Sequence, residues 1–163
     1  MEFGLHFKFV VGGYMPYQSA LAGRTSLSGQ IYHVTVCTYR RQPVFACWKS
    51  GRILVHTLKD LQQQQVASSL AWVIMPDHLH WLMQLGDSHS LGDALQLCKG
   101  RSAKAINQHL GRQGNLWQRG VIDRAIRREE DLVQVARYIV ANPLRAGLVN
   151  KLGDYPLWDA MWL

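Results

Sequence analysis

The sequence predicts an α+β domain in which helices cover an antiparallel sheet. Segments with the two-residue alternation of β-strands are interleaved with segments whose apolar residues follow helical spacing. Two of the strand-like segments are joined by only two residues, a connection that antiparallel neighbours allow and parallel neighbours do not. No stretch rich in Gly, Ser or Pro divides the 163 residues, so we expect a single domain.

The first half of the chain contains three predicted strands and one predicted helix. β-Branched and aromatic residues predict a strand at Ile31–Tyr39, with odd-numbered side chains on one face and even-numbered ones on the other. Apolar residues at helical spacing predict a helix over residues 48–67. Two further strands, Leu70–Met75 and His78–Leu85, flank Pro76-Asp77, which predicts a tight hairpin.

The second half contributes two helices and one extended segment. Helical spacing predicts Leu91–Leu110 and Glu129–Asn142, and Val121–Arg127 between them is typical of a short strand. The order β-α-β-β-α-β-α is that of a ferredoxin-like antiparallel sheet with helices on one face and an added C-terminal helix. A more polar stretch opens at Met15, so we expect the domain to occupy residues 15–163 and residues 1–14 to form an extra N-terminal segment.

The composition indicates which classes of partner the protein can have. The chain has 18 Lys and Arg against 11 Asp and Glu, a formal net charge of +7, which favours polyanions and nucleic acid first. A basic protein without such a partner is the alternative. No apolar run has the length that spans a bilayer, so no membrane partner is expected. Cys37, Cys47 and Cys98 match neither a disulfide framework nor a zinc site and indicate reduced, mostly packing cysteines of a cytosolic protein.

A His-Leu-His sequence lies on the third predicted strand. His78 and His80 are two residues apart, so both imidazoles leave the same face while Leu79 points towards the helix-covered core. Two imidazoles so placed can chelate one divalent ion, but the ion needs a third protein ligand from elsewhere. The alternative is a pair of half-exposed histidines on the open face of the sheet.

The last predicted helix carries a second pair of polar residues. Tyr138 and Asn142 are spaced i, i+4 and lie on one flank of this helix, away from its apolar stripe. Asn142 precedes Pro143, where the helix is expected to end, and its carbonyl is a reasonable oxygen ligand for a hard cation. The alternatives are a tyrosine whose ring covers the core and an ordinary helix-ending asparagine. The apolar stripe consists of Leu132, Val135, Ala136, Ile139 and Val140.

Taken together, these segments resemble the REP-associated tyrosine transposases, a branch of the single-tyrosine HUH transposases that process single-stranded DNA. One HLH is a weak signal, but MPDHLH followed at this distance by RYIVANPLRAGLV is specific. The family usually has aromatic residues where this chain has Val121 and Ile122, a departure that concerns DNA contacts or packing and not the catalytic set. The similar segments are Gly29–Phe45, Trp72–Leu85, Leu116–Leu132 and Arg137–Val149.

The resemblance implies a catalytic set on the residues already singled out. The family's two metal histidines match His78 and His80, its nucleophilic tyrosine matches Tyr138, and the residue that completes its metal site matches Asn142. Tyr138 is then expected to attack a DNA phosphodiester, forming a 5′-phosphotyrosine and releasing a 3′-OH, with Mg²⁺ or Mn²⁺ as the cofactor. The added C-terminal helix would therefore carry the nucleophile.

The resemblance also implies the partners and the place of action. The expected substrate is single-stranded or hairpin DNA from a repeat, and the branch favours a monomer over a dimer. A bacterial cytoplasmic, nucleoid-associated protein is expected. Basic residues are expected to form a salt-sensitive phosphate footprint, although each one alone is more typical of a solvated face. They are Arg40, Arg41, Lys99, Arg101, Lys104, Arg119, Arg124 and Arg127.

Two other functions stay open at this point. A domesticated protein with this fold would bind DNA or RNA hairpins without cleaving them; the four intact site residues argue against it, and the departure at Val121-Ile122 keeps it open. A metal-dependent phosphodiesterase that activates water would leave no covalent adduct and would survive the substitution Tyr138→Phe.

Overall fold

The sheet contains all the strands of the part of the chain that the structure, a computed structural model, describes: residues 27–127 and 131–163. Its spatial order is β4-β1-β3-β2-β5, and every neighbouring pair is antiparallel. The first four strands have the ferredoxin-like order that the sequence predicts, and β5 extends the edge beyond β2. The strands are β1 (Ile31–Cys37), β2 (Ala67–Met75), β3 (His78–Leu85), β4 (Ile122–Ala125) and β5 (Trp158–Ala160).

The helices lie on both faces of this sheet. One face, which carries Val34 and Trp81, packs against the first two helices, and the other, which carries Leu82, packs against the third. The two helices of the ferredoxin-like unit therefore share one face, as predicted, and the added helix covers the other. The helices are α1 (Trp48–Gln63), α2 (Leu91–Leu110), α3 (Leu132–Val140) and the four-residue α4 (Asn142–Arg145).

Local signals explain where α2 and α3 begin. At α2 the Ser90 side chain accepts from the Asp93 N–H at 3.1 Å, and the Asp93 carboxylate accepts from the Ser90 N–H at 3.0 Å, a reciprocal cap of the first turn. At α3 the Asp131 carboxylate accepts from the N–H groups of Val133 and Gln134 at 2.9 and 3.2 Å. Gly111, with φ +59°, ends α2 at the predicted residue.

Three predicted boundaries in the first half are wrong by a few residues. β1 ends at Cys37 and not at Tyr39, because Arg40 and Arg41 adopt left-handed φ values of 54° and 57° and turn the chain away. α1 ends at Gln63, and Gln65, with φ 55°, reverses the chain so that β2 begins at residue 67, three residues before the predicted start.

The C-terminal helical region also differs from the prediction. The expected start at Glu129 lies outside the described residues, and so does the expected domain boundary at Met15. α3 ends at Val140, and Asn142 opens α4 with Pro143 in its first turn. Proline fits there because the first turn of a helix leaves its N–H groups unpaired in any case. Pro143 therefore starts a new helical turn, whereas the sequence predicts that helical structure stops before it.

Two further observations concern the class of protein. No helix within residues 27–127 and 131–163 is long and apolar enough to cross a bilayer. Cys98 is buried in the core, as expected of a packing cysteine, and burial raises the pKa of its thiol to about 12. Cys37 and Cys47 are only partly buried, so they are not core-packing cysteines as Cys98 is.

Candidate active site

The two predicted metal histidines meet on the sheet face that α3 covers. His78 and His80 project from β3 on the same side, while Leu79 between them is fully buried on the opposite side, among the residues under α1 and α2. The Nε2 atoms of the two histidines are 3.1 Å apart, and their rings are nearly perpendicular, at 86°. The alternation of the strand therefore brings both imidazoles to one point, as the sequence predicts.

Other polar groups hold the second nitrogen of each ring. The Nδ1 atom of His78 donates to the Asp77 carboxylate at 2.6 Å. The Nδ1 atom of His80 shares a hydrogen bond with the Thr35 hydroxyl at 3.0 Å and lies 3.4 Å from the Nε2 atom of His33. Because both Nδ1 atoms are engaged, the Nε2 atoms are the ones available to a ligand, an arrangement typical of metal-binding histidines.

Burial keeps His80 and His33 uncharged at neutral pH. The pKa of His80 is lowered to about 3, chiefly by burial and then by the neighbouring histidines and the charges of Arg145 and Arg41. Burial likewise lowers the pKa of His33 to about 4, with a contribution from Arg124. At neutral pH both rings therefore keep the unprotonated nitrogen that a metal ligand requires.

The histidine pair fits a divalent ion that is only partly coordinated by the protein. Two ligands at right angles and ~2.1 Å from an octahedral ion are about 3 Å apart, close to the separation of the two Nε2 atoms. Within the described ranges, no group of three His, Cys, Asp or Glu side chains could hold a metal. The remaining ligands would thus be an amide oxygen, water or phosphate, as Mg²⁺ and Mn²⁺ accept.

The structure places Tyr138 and Asn142 on the same sheet face as the histidines. Ala136, Ile139 and Val140 of α3 are buried against this face, which leaves Tyr138 on the outer flank with 44% of its surface exposed. Asn142 is half-buried, and its side-chain amide donates to the Ile139 carbonyl at 2.7 Å. This hydrogen bond uses the nitrogen and fixes the carboxamide, whose oxygen is the atom expected to face a metal.

Arg145 lies beside Tyr138, within electrostatic range of His80. Its guanidinium carbon lies 3.9 Å from the centre of the Tyr138 ring. Its charge also lowers the pKa of His80, although burial has the larger effect. Arg145 is not among the residues that the sequence predicts for the site. The available signal was its spacing of seven residues, two helical turns, from Tyr138, but the expected stop at Pro143 removed this relation from consideration.

Arg41 positions one of the histidines instead of standing free on the surface. Its Nε atom lies 2.9 Å from one oxygen of Asp77, whose other oxygen accepts from His78. The left-handed conformation of Arg40 and Arg41 is uncommon for residues other than glycine, and it turns the second arginine back towards Asp77. Asp77 itself was assigned only to the hairpin turn, although its place immediately before His78 was a signal for this role.

Replacing Asp77 by Asn is expected to weaken Mn²⁺ binding by roughly 10–100-fold, because the amide lacks the charge that orients and strengthens the His78 ligand. Isothermal titration with Mn²⁺ measures this affinity, and circular dichroism checks the fold. Asp159→Asn, an exposed carboxylate on β5, is the matched control. Equal affinity of the Asp77 variant and the control would contradict the role of Asp77.

The predicted phosphate footprint divides between the two faces of the sheet. Lys99, Arg101 and Lys104 are on α2, which packs on the face opposite the histidines. Lys99 donates to the Gln118 carbonyl at 2.5 Å, burial lowers its pKa, and Arg101 donates to the Gln64 side chain at 2.8 Å. Two of the three predicted basic residues on α2 are therefore engaged within the protein, without a ligand.

The other predicted basic residues lie outside α2. Arg124 on β4 pairs in register with His33 on β1, so it borders the cluster. Arg40 is exposed, and its guanidinium carbon lies 5.2 Å from the centre of the Tyr39 ring. Arg119 and Arg127 are exposed on the segments that flank β4. Of these four residues, Arg124 is the one that the pairing of the described strands places on the histidine face.

Comparisons with known proteins show the family of this chain. A family model described as IS200-like transposase matches residues 26–142. A REP-associated tyrosine transposase of Escherichia coli strain K12 is 28% identical over 105 residues, 64% of this chain and 61% of the relative. A related protein of Haemophilus influenzae is 33% identical over 98 residues, 54% of this chain and 56% of the relative. The chain thus aligns with less than two thirds of the length of each of these curated relatives.

Solved structures share the fold. The structure of a REP-associated tyrosine transposase bound to a REP hairpin superposes with a TM-score of 0.67 at 24% identity, covering 83% of this chain and 79% of that one. A transposase-like protein from Deinococcus radiodurans superposes with a TM-score of 0.53 at 27% identity, covering 72% of this chain and 93% of that one. The arrangement of sheet and helices is therefore one that proteins named as transposases also have.

Proposed function

Because the chain belongs to the family of IS200-like transposases, we propose that it is a metal-dependent endonuclease and strand transferase that acts on single-stranded DNA beside a hairpin. The observation that supports this most is the placement of α3. Its outer flank carries the exposed Tyr138, and the helix packs on the sheet face from which His78 and His80 project. A nucleophile and a pair of metal ligands on one face are what phosphodiester transfer requires.

The proposed chemistry is a transesterification at phosphorus. The Tyr138 oxygen attacks the scissile phosphorus, the bond from phosphorus to the 3′ oxygen breaks, and the phenolic proton ends on the released 3′-OH. The product is a 5′-phosphotyrosine, whose ester keeps the energy of the broken bond. Attack by the same or another 3′-OH reverses the step and joins strands without ATP.

The chain's own residues prepare the site for this step. The divalent ion, when bound, supplies Lewis-acid polarisation of the phosphate oxygens. Asp77 and Thr35 hold the Nδ1 atoms of the two histidines, so that both Nε2 lone pairs stay directed at the same point. Asn142, the residue that we propose completes the ligand set, has its carboxamide held by the Ile139 carbonyl.

The proposed substrate is a hairpin with a single-stranded flank. One structural neighbour of this fold is bound to a REP hairpin, and the formal charge of +7 suits a polyanion. The β4 edge borders the histidine face, and there Ile122 pairs in register with Thr35 and is 70% exposed. Ile122 stands where the family usually has an aromatic residue, so we propose that an unpaired base contacts it. We also propose that the protein acts as a monomer in the cytoplasm.

The direct test uses an end-labelled hairpin with single-stranded flanks from the repeats beside the gene. We expect a nick at one position with Mn²⁺ or Mg²⁺, no nick with EDTA, and no nick in a fully duplex control of the same sequence. Denaturing gel electrophoresis locates the nick. Tight binding of the hairpin without a nick in either metal would overturn the enzymatic proposal and favour a non-cleaving binding protein.

A further inference from the structure

Arg145 differs from Arg41, the other arginine whose charge lowers the pKa of His80. Arg41 is paired with the carboxylate of Asp77, whereas the structure shows no ion pair between Arg145 and any of the residues that it describes. Arg145 is exposed, and its guanidinium stacks at 3.9 Å on the Tyr138 ring. Stacking uses the flat face of a guanidinium and leaves its N–H donors, which lie in the plane, available to an anion.

The Arg145 guanidinium lies where the proposed attack by Tyr138 would take place. A phosphorus poised for attack lies about 3–3.5 Å from its nucleophile. A guanidinium that is stacked on the ring of Tyr138 has N–H donors within reach of the non-bridging oxygens of a phosphate attacked by that tyrosine. The same charge contributes to the lowered pKa of His80, so Arg145 lies over Tyr138 and within electrostatic range of the histidine pair.

We propose that Arg145 is a catalytic residue that binds a non-bridging oxygen of the scissile phosphate, and that its stack on Tyr138 aligns nucleophile and phosphate. This inference rests on the proposed function. A bidentate donor of this kind binds phosphate oxygens more strongly as negative charge grows on them in the transition state. A lysine provides a point charge but lacks the planar guanidinium that binds two oxygens and stacks on the ring, so it replaces Arg145 only in part.

The first test measures the single-turnover cleavage rate with enzyme in excess. Arg145→Ala is expected to lower this rate by roughly 10²–10³-fold, the loss typical of one transition-state donor, and Arg145→Lys is expected to restore part of it. Arg137→Ala removes an exposed arginine next to Tyr138 and is the matched control, with a rate near that of the wild type. Thermal unfolding of each variant checks that the fold is intact.

The second test asks whether Arg145 contacts the scissile phosphate itself. In a Tyr138→Phe background, which keeps the ring, a neutral methylphosphonate is placed at the nick position mapped with the wild type. With EDTA present, so that no metal contacts the same phosphate, we expect the methylphosphonate to weaken hairpin binding about 10-fold when Arg145 is present and to have no effect once Arg145 is replaced by Ala.

The outcomes separate this inference from the proposed function. A wild type that makes no nick refutes the proposed function and this inference with it. A wild type that cleaves, with Arg145→Ala no slower than Arg137→Ala, refutes the role of Arg145 alone. A methylphosphonate penalty that is the same with and without Arg145 refutes the phosphate contact and leaves the nuclease intact.

Discussion

Replacing Tyr138 by Phe is expected to lower the rate of DNA cleavage by about 10⁴-fold or more while hairpin affinity stays the same. The substitution removes the attacking oxygen, and loss of a nucleophile has effects of this size in enzymes that form covalent intermediates. The ring, which stacks with Arg145, is retained, and Tyr138 is 44% exposed and lies outside the buried core. Cleavage of a labelled hairpin and its binding in a gel-shift assay measure the two quantities.

Tyr39→Phe is the matched control for this prediction. Tyr39 is also exposed and also lies under an arginine, Arg40, at 5.2 Å. Its phenylalanine variant is expected to cleave at the rate of the wild type. If Tyr138→Phe cleaves as fast as this control, the nucleophile is not Tyr138, and a hydrolytic reaction with activated water becomes the better account.

Replacing His80 by Ala is expected to abolish Mn²⁺ binding and to lower cleavage by roughly 10³-fold, because a metal contributes several kcal/mol of stabilisation to the transition state. His80 is the centre of the cluster: its Nε2 atom faces His78 and its Nδ1 atom contacts Thr35 and His33. Among the residues that the structure describes, His80 is the one whose ring nitrogen lies within hydrogen-bond distance of the His78 Nε2 atom. Isothermal titration with Mn²⁺ and a metal titration of the cleavage rate measure both effects.

His56→Ala and His80→Gln are the controls for this prediction. His56 is exposed on α1, so its removal tests the general effect of losing a histidine. His80→Gln keeps a polar side chain in the half-buried site and separates loss of the ligand from loss of packing. A His80→Ala variant that folds, binds Mn²⁺ as the wild type does and cleaves at its rate would show that the histidine pair is not a metal site.

Much of the fold follows from patterns that short segments carry by themselves. The bounds of His78–Leu85 and Leu91–Leu110 are confirmed, because alternation, a capping serine and a terminal glycine mark them locally. β5 was not predicted, since three residues are too few for a periodic pattern and Trp158–Ala160 becomes a strand only by pairing with β2. The arrest of β1 at Cys37 depends on left-handed arginines, a conformation that their residue type does not suggest.

The candidate site likewise contains a part that the sequence predicts and a part that it does not. The convergence of His78 and His80 was predictable because strand alternation alone fixes it. The groups that orient them were not, since Thr35 and Arg41 reach the histidines only once β1 pairs with β3 and the chain turns after Cys37. Arg145 depends on helical structure that continues past Pro143. Contacts between segments distant in sequence, and conformations imposed by them, are what a single sequence leaves open.

The most direct test of the central claim is the capture of the covalent adduct. The hairpin substrate is labelled either at its 5′ end or at its 3′ end, incubated with the protein and Mn²⁺, and run on a denaturing protein gel. A 5′-phosphotyrosine at Tyr138 predicts a protein band that carries the 3′ label and not the 5′ label, and that is absent with EDTA and in Tyr138→Phe. A nick without any adduct, or an adduct that carries the 5′ label, would contradict the assignment of Tyr138 as a nucleophile that takes the 5′ phosphate.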